Sequence, residues 1–111
     1  MIDWDRVAEL QSEVGGDAFG EVAGMFLLEI DEASERLMRQ REREKLADSL
    51  HFLKGAALNL GFADLACACQ RAEAELAAGA EAEAQVAAVL VTLDASRAAF
   101  LEGRAEGRPA A

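Results

Sequence analysis

A chain of 111 residues with 52% apolar content has room for one domain and a single modest core. Its 21 acids against 11 bases give a formal net charge of -10, which argues against nucleic acid or an anionic membrane as partner, since both demand a positive surface. Alanine is abundant, proline occurs once and β-branched residues are sparse, so an all-helical chain is expected with no strand.

No apolar run is read as approaching the ~20 residues of a membrane span, and the N-terminus lacks the basic-then-apolar order of a signal peptide. A cytoplasmic protein is expected. Cys67 and Cys69 lie two apart in a helical pattern and so point to roughly opposite sides; they cannot easily pair, and reduced thiols follow.

The first segment, Asp3 to Val14, opens on an aspartate suited to N-capping and sets Trp4, Val7 and Leu10 at helical spacing before Gly15 and Gly16 break it. It reads as a short lid over one end of a bundle, with Trp4 as a packing residue. The second helix is expected from about Asp17, its cap, to Gln40. Phe19, Val22, Phe26, Ile30, Ala33 and Leu37 form its apolar stripe, Met25 and Leu28 flank that stripe, and a charged face lies opposite. The run Arg39 to Lys45 holds neither glycine nor proline; the turn is set at Gln40 to Glu42. Interleaved Glu42 and Glu44 halve its basic charge, which fits a helix end with local ion pairs.

A third helix ends at Gly61, a natural left-handed stop, with Leu46, Leu50, Leu53, Ala57 and Leu60 on its inner stripe. Ala63 to Ala78 makes the fourth, with Leu65, Cys69, Ala72 and Leu76 inward and Gly79 beyond its end. The very short link makes these two an antiparallel hairpin. The fifth helix runs from about Glu81 to Glu102, with Val86, Val89, Leu90, Leu93 and Phe100 inward. Residues 103–111, with Gly103, Gly107 and Pro109, are expected to be a disordered tail. The predicted fold is therefore an all-α, antiparallel up-down-up-down four-helix bundle over residues 1–102, with a short N-terminal capping helix.

His51, the sole histidine, is off the third helix's core stripe by roughly 140° and Gly55 by roughly 120°, so both face outward. Lys54 puts an ammonium at i+3. A glycine inside a helix costs about 1 kcal/mol relative to alanine and gains nothing in packing on a solvent face; beside an exposed imidazole it leaves room for another protein's backbone. Glu73 on the fourth helix runs back toward the level of His51, where a carboxylate could fix the imidazole tautomer; plain surface charge is the alternative, Glu75 being of the same composition.

The residues His51, Leu53, Lys54, Gly55, Asn59, Leu60 and Gly61, followed by Leu65, Cys69 and Glu73, resemble the signature of the histidine phosphotransfer (HPt) family of bacterial phosphorelays. The likeness covers the middle third in detail and the remainder in its helix pattern. The family often has a small hydroxyl residue after the Lys-Gly pair; here Ala56 and Ala57 stand instead, so that hydrogen bond is missing. The phosphotransfer domain of chemotaxis kinases, with a Phe-Gly where this chain has Leu60-Gly61, is less similar.

The resemblance implies a phosphoryl carrier, not an enzyme. His51 would be phosphorylated, Lys54 would offset phosphoryl charge, Gly55 would keep the approach open and Glu73 would orient the ring. Partners would be response-regulator receiver domains and a hybrid histidine kinase, recognised around His51 with Ala47 and Leu58 as an apolar margin. No cofactor or metal is implied on this chain; Mg²⁺ would come with the receiver domain. A monomer is expected, and the start at Met1 and the frayed tail fit a free-standing protein, with a domain excised from a larger kinase as the alternative. No Walker loop or kinase glycine loop occurs, so autonomous kinase activity is not expected. A di-metal carboxylate bundle needs two Glu-x-x-His pairs, whereas only Asp48-x-x-His51 occurs, once. The rival reading is a non-relay regulatory bundle with a vestigial histidine, which has no chemical need to retain Lys54 and Gly55.

Overall fold

The computed structural model describes residues 1–108. Among them there are five helices and no strand: α1 (Trp4–Val14), α2 (Gly16–Arg39), α3 (Arg43–Leu60), α4 (Ala63–Ala77) and α5 (Ala82–Ala105). α2 to α5 run up-down-up-down, with α3 packed between α2 and α4, α5 along α4, and a shorter contact of α5 on α2. The bundle is elongated, 45 × 19 × 18 Å.

Each inner stripe read from periodicity supplies core. Leu46, Leu50, Leu53, Ala57 and Leu60 of α3 are fully buried, as are Leu65 and Cys69 of α4, while Val22 and Phe26 of α2 and Leu90 of α5 are only partly covered. Ala23 takes the buried position on α2 where Val22 was expected, and Val22 is only half-buried beside it.

The far end of the bundle from the α2–α3 turn is closed by α1. Asp3 caps α1 by accepting from the Arg6 N–H at 3.1 Å. The backbone N–H of Asp3 donates to the Gly61 carbonyl at 2.7 Å, and Arg6 Nε donates to the Asn59 carbonyl at 3.1 Å. Gly61 is required twice over: its φ is +83°, and a Cβ there would lie 2.7 Å from the Asp3 carbonyl oxygen. Trp4 stacks on Phe100 with ring centroids 5.8 Å apart, and Phe62 tilts against Phe100 at 5.4 Å. Trp4 is thus a packing residue.

The other end is tied by arginines. Arg43 donates to the carbonyls of Leu76 and Ala80 at 2.8 and 2.7 Å, tying the start of α3 to the end of α4 and the turn after it, and Arg41 pairs with Glu83.

Several expectations are corrected. Asp17 does not cap α2; Gly15, at φ +86°, holds that position without a side-chain cap, and Asp17 sits in the first turn. α5 does not stop at Glu102. It continues to Ala105, because Gly103 lies under the Trp4 ring and lets α1 lie against the helix, so the expected disordered tail does not begin at 103. The rest of that expectation from 109 to 111 lies outside the described residues. α5 is also long and apolar enough to cross a membrane, with a mean hydropathy of 1.4 over 18 residues, contrary to the expectation that no run approaches such length. Here it is a wall of the bundle, with Val86, Val89, Leu93 and Phe100 buried and Arg97 bound through two 3.0 Å hydrogen bonds to Asp31 of α2.

Candidate functional site

The inward stripe of α3 leaves His51, Phe52, Gly55, Leu58 and Asn59 exposed on its outer wall. The His51 side chain is 79% exposed. A Cβ built on Gly55 would meet nothing within 4 Å, so the space one turn beyond the imidazole is open. Lys54, between the exposed wall and the core, is half-buried.

The short turn at Gly61 folds α4 back antiparallel to α3 and brings Glu73 to the imidazole. Glu73 Oε1 is 3.7 Å from His51 Nδ1, within ion-pair range and longer than a hydrogen bond. That oxygen is buried and has no hydrogen-bond partner, so it is an unused acceptor aimed at the ring. Glu75, indistinguishable from Glu73 by composition, is exposed. Nδ1 therefore faces the carboxylate and Nε2 faces outward, away from it.

Cys69 lies one turn before Glu73 on α4, fully buried. Burial, then the Glu73 carboxylate, push its thiol up to about 12, with Lys54 acting in the opposite direction. At neutral pH the thiol is uncharged. Sequence reasoning put Cys69 on the core stripe without seeing that both charges act on it. Cys67 is exposed, and both cysteines are free.

One feature escaped the sequence reading. Phe52, next to the histidine, is 48% exposed and carries the Arg36 guanidinium 5.4 Å over its ring, so α2 contributes a cation to this wall. Leu58, Met25 and Leu28 are also largely exposed, as anticipated for apolar side chains on the flank, while Ala47 is half-buried. A flag for Phe52 was available in its position, off the core stripe and adjacent to His51, but periodicity alone assigns no purpose to an outward aromatic ring. No group of three or more His, Cys, Asp or Glu side chains that could hold a metal ion occurs among the described residues.

The arrangement offers an accessible imidazole, a carboxylate acceptor facing its Nδ1 and a cation one turn along the same helix. A family model described as Hpt domain matches residues 21–100, from the first turns of α2 to Phe100 of α5, leaving α1 outside. No curated protein and no solved structure matches the chain.

Proposed function

The chain belongs to the Hpt domain family, and from that premise we propose that it accepts a phosphoryl group on His51 from a receiver-domain aspartyl phosphate and passes it to another receiver domain. The family implies histidine phosphotransfer in phosphorelays and makes the chain a phosphocarrier. The assignment to His51, the direction of transfer and the identity of the donors are our reading.

The observation that carries it is the pose of His51: a side chain 79% exposed, with Nδ1 turned toward the Glu73 carboxylate. In the tautomer with the ring proton on Nδ1, the nitrogen that faces the carboxylate, the lone pair of Nε2 is free to attack phosphorus. The Nε2–P bond forms as the acyl O–P bond of the aspartyl phosphate breaks, and its electron pair returns to the aspartate as carboxylate. The reverse sequence delivers the group to the next receiver. Lys54 offsets negative charge on the phosphoryl oxygens, and Glu73 acts as a positioning residue through the imidazole. Gly55 keeps the approach clear for the partner's loops. Mg²⁺ is assigned to the receiver domain, with no cofactor on this chain. The donor at the head of the relay is a hybrid histidine kinase, and a cytoplasmic location goes with these partners.

The test is incubation with a receiver domain charged with labelled phosphate. The expected product is an acid-labile, base-stable adduct on His51, absent from His51→Gln. Label retained by His51→Gln would remove the proposal, and no transfer to the wild-type chain from any receiver would leave a binding module with an idle histidine.

A further inference from the structure

Of the 11 basic residues, Arg36, Arg39, Arg41, Arg43 and Lys45 lie in the turn between α2 and α3 and its flanks. The fold divides them by task. Arg41 is paired with Glu83 and also donates to the Leu37 and Gln40 carbonyls, and Arg43 is spent on the end of α4. The other three converge with Gln40 and Ser49 on a shallow cavity of about 270 Å³. Lys45 reaches Glu42 at 3.2 Å, whereas Arg36 and Arg39 have no carboxylate at ion-pair distance among the described residues. Helix-end ion pairing accounts for part of the cluster only.

The cavity is linked to the wall around His51 by Arg36, which lines it and lies over the ring of Phe52, the residue after His51. On a chain of net charge -10, an acidic partner is repelled almost everywhere, and a local cluster of cations sets where and in which orientation it can land. The chemistry favours carboxylates of a protein over a free phosphate. The cations are exposed and spread around an open rim, and the Gln40 side-chain oxygen is turned to the backbone N–H groups of Arg41 and Glu42, so no closed cradle of donors surrounds one anion.

We propose that this basic rim seats a carboxylate-bearing loop of the receiver domain that exchanges phosphoryl groups with His51, and so selects acidic receivers; this rests on the reading of His51 as the phosphoryl acceptor. The test uses the full chain with Arg39→Glu/Lys45→Glu, which leaves Arg36 on Phe52, and two donors. Potassium phosphoramidate needs no docking: an N–P bond forms on His51 and ammonia leaves. Receiver domains of the source organism, charged with acetyl phosphate, do need docking. The double variant should react with phosphoramidate at the wild-type rate but accept from the wild type's fastest receiver about tenfold or more slowly at low salt, the gap closing by roughly 0.5 M NaCl. Replacing the facing receiver carboxylates with lysine should restore transfer to the variant. Should circular dichroism report lost helix, Arg39→Gln/Lys45→Gln carries the same comparison. Wild-type transfer rates in the variant at low salt would overturn the proposal. So would inhibition of wild-type transfer by inorganic phosphate beyond that of chloride at equal ionic strength, which would make the cavity a small-anion site. A His51 that reacts with neither donor would instead overturn the reading beneath it.

Discussion

Gly55 and Ser96 are two residues whose chemistry runs against their surroundings. Gly55 occupies the middle of α3, where glycine costs about 1 kcal/mol relative to alanine, and the space its Cβ would take is empty. Gly55→Gln should therefore stabilise the fold by about 0.5 to 1 kcal/mol in urea unfolding while abolishing transfer from a receiver domain. Transfer at the wild-type rate would show that no partner comes close at that point. Ser96 is the reverse case, a hydroxyl fully buried on the inner face of α5 with no hydrogen-bond partner. Removing an unsatisfied buried polar group relieves a desolvation cost of about 1 to 3 kcal/mol, part of which the mutant recovers. Ser96→Ala should raise the urea midpoint without changing the slope; a lowered midpoint would mean that the hydroxyl is satisfied. At this scale the sequence was informative where chemistry was unusual. A sole histidine with Lys54 and Gly55 beside it could be singled out, but Glu73 and Glu75 could not be separated until the α3–α4 hairpin set the rotation of α4, which turns Glu73 to the imidazole and Glu75 to water.

The helices themselves were legible because a strong core stripe repeats at threes and fours in each, and the α2–α3 turn at 40 to 42 emerged despite lacking glycine and proline. The misread boundaries fall at the helix ends, where a glycine can stand for either backbone freedom or small size. Gly61 has both properties; Gly103 has only the second. A Cβ on Gly103 would lie 2.2 Å from Trp4 Cζ2, so the residue that resembled a helix stop is the slot through which α1 docks on α5. Gly103→Ala keeps the helical backbone and should still destabilise, by about 1 to 3 kcal/mol for an overpacked contact, although alanine is the better helix former. Trp4→Ala should make the second change far less costly, a non-additivity readable in a double-mutant cycle of unfolding free energies. Additive effects would mean that Trp4 and Gly103 do not meet. The pair also explains how a short capping helix outside the family match is held to the bundle, since the Trp4 ring bridges Gly103 and Phe100.

For the whole molecule the governing quantity is charge. A net -10 spread over a body 19 Å by 18 Å in cross-section puts like charges on opposite walls within two Debye lengths at 0.1 M salt. Self-repulsion of that kind favours the expanded chain. The ion pairs that oppose it, among them Arg6 with Glu9 and Glu13, Arg41 with Glu83, Arg97 with Asp31 and Lys45 with Glu42, are between exposed or half-exposed side chains, so each contributes little. Salt screens both, but repulsion among many uncompensated carboxylates outweighs these solvent-facing pairs. Raising NaCl from about 0.05 to 0.5 M should therefore stabilise the fold by an amount on the order of 1 kcal/mol, a rise in Tm of about 4 °C or more. Receiver transfer through the basic rim should weaken over the same range, because the attraction that orients the acidic partner is screened while its target grows more stable. The two measurements move in opposite directions in one titration. A Tm that falls with salt would mean that the ion pairs outweigh the net charge, and a transfer rate that rises with Tm would make docking a matter of fold stability, with no electrostatic selection at the α2–α3 turn.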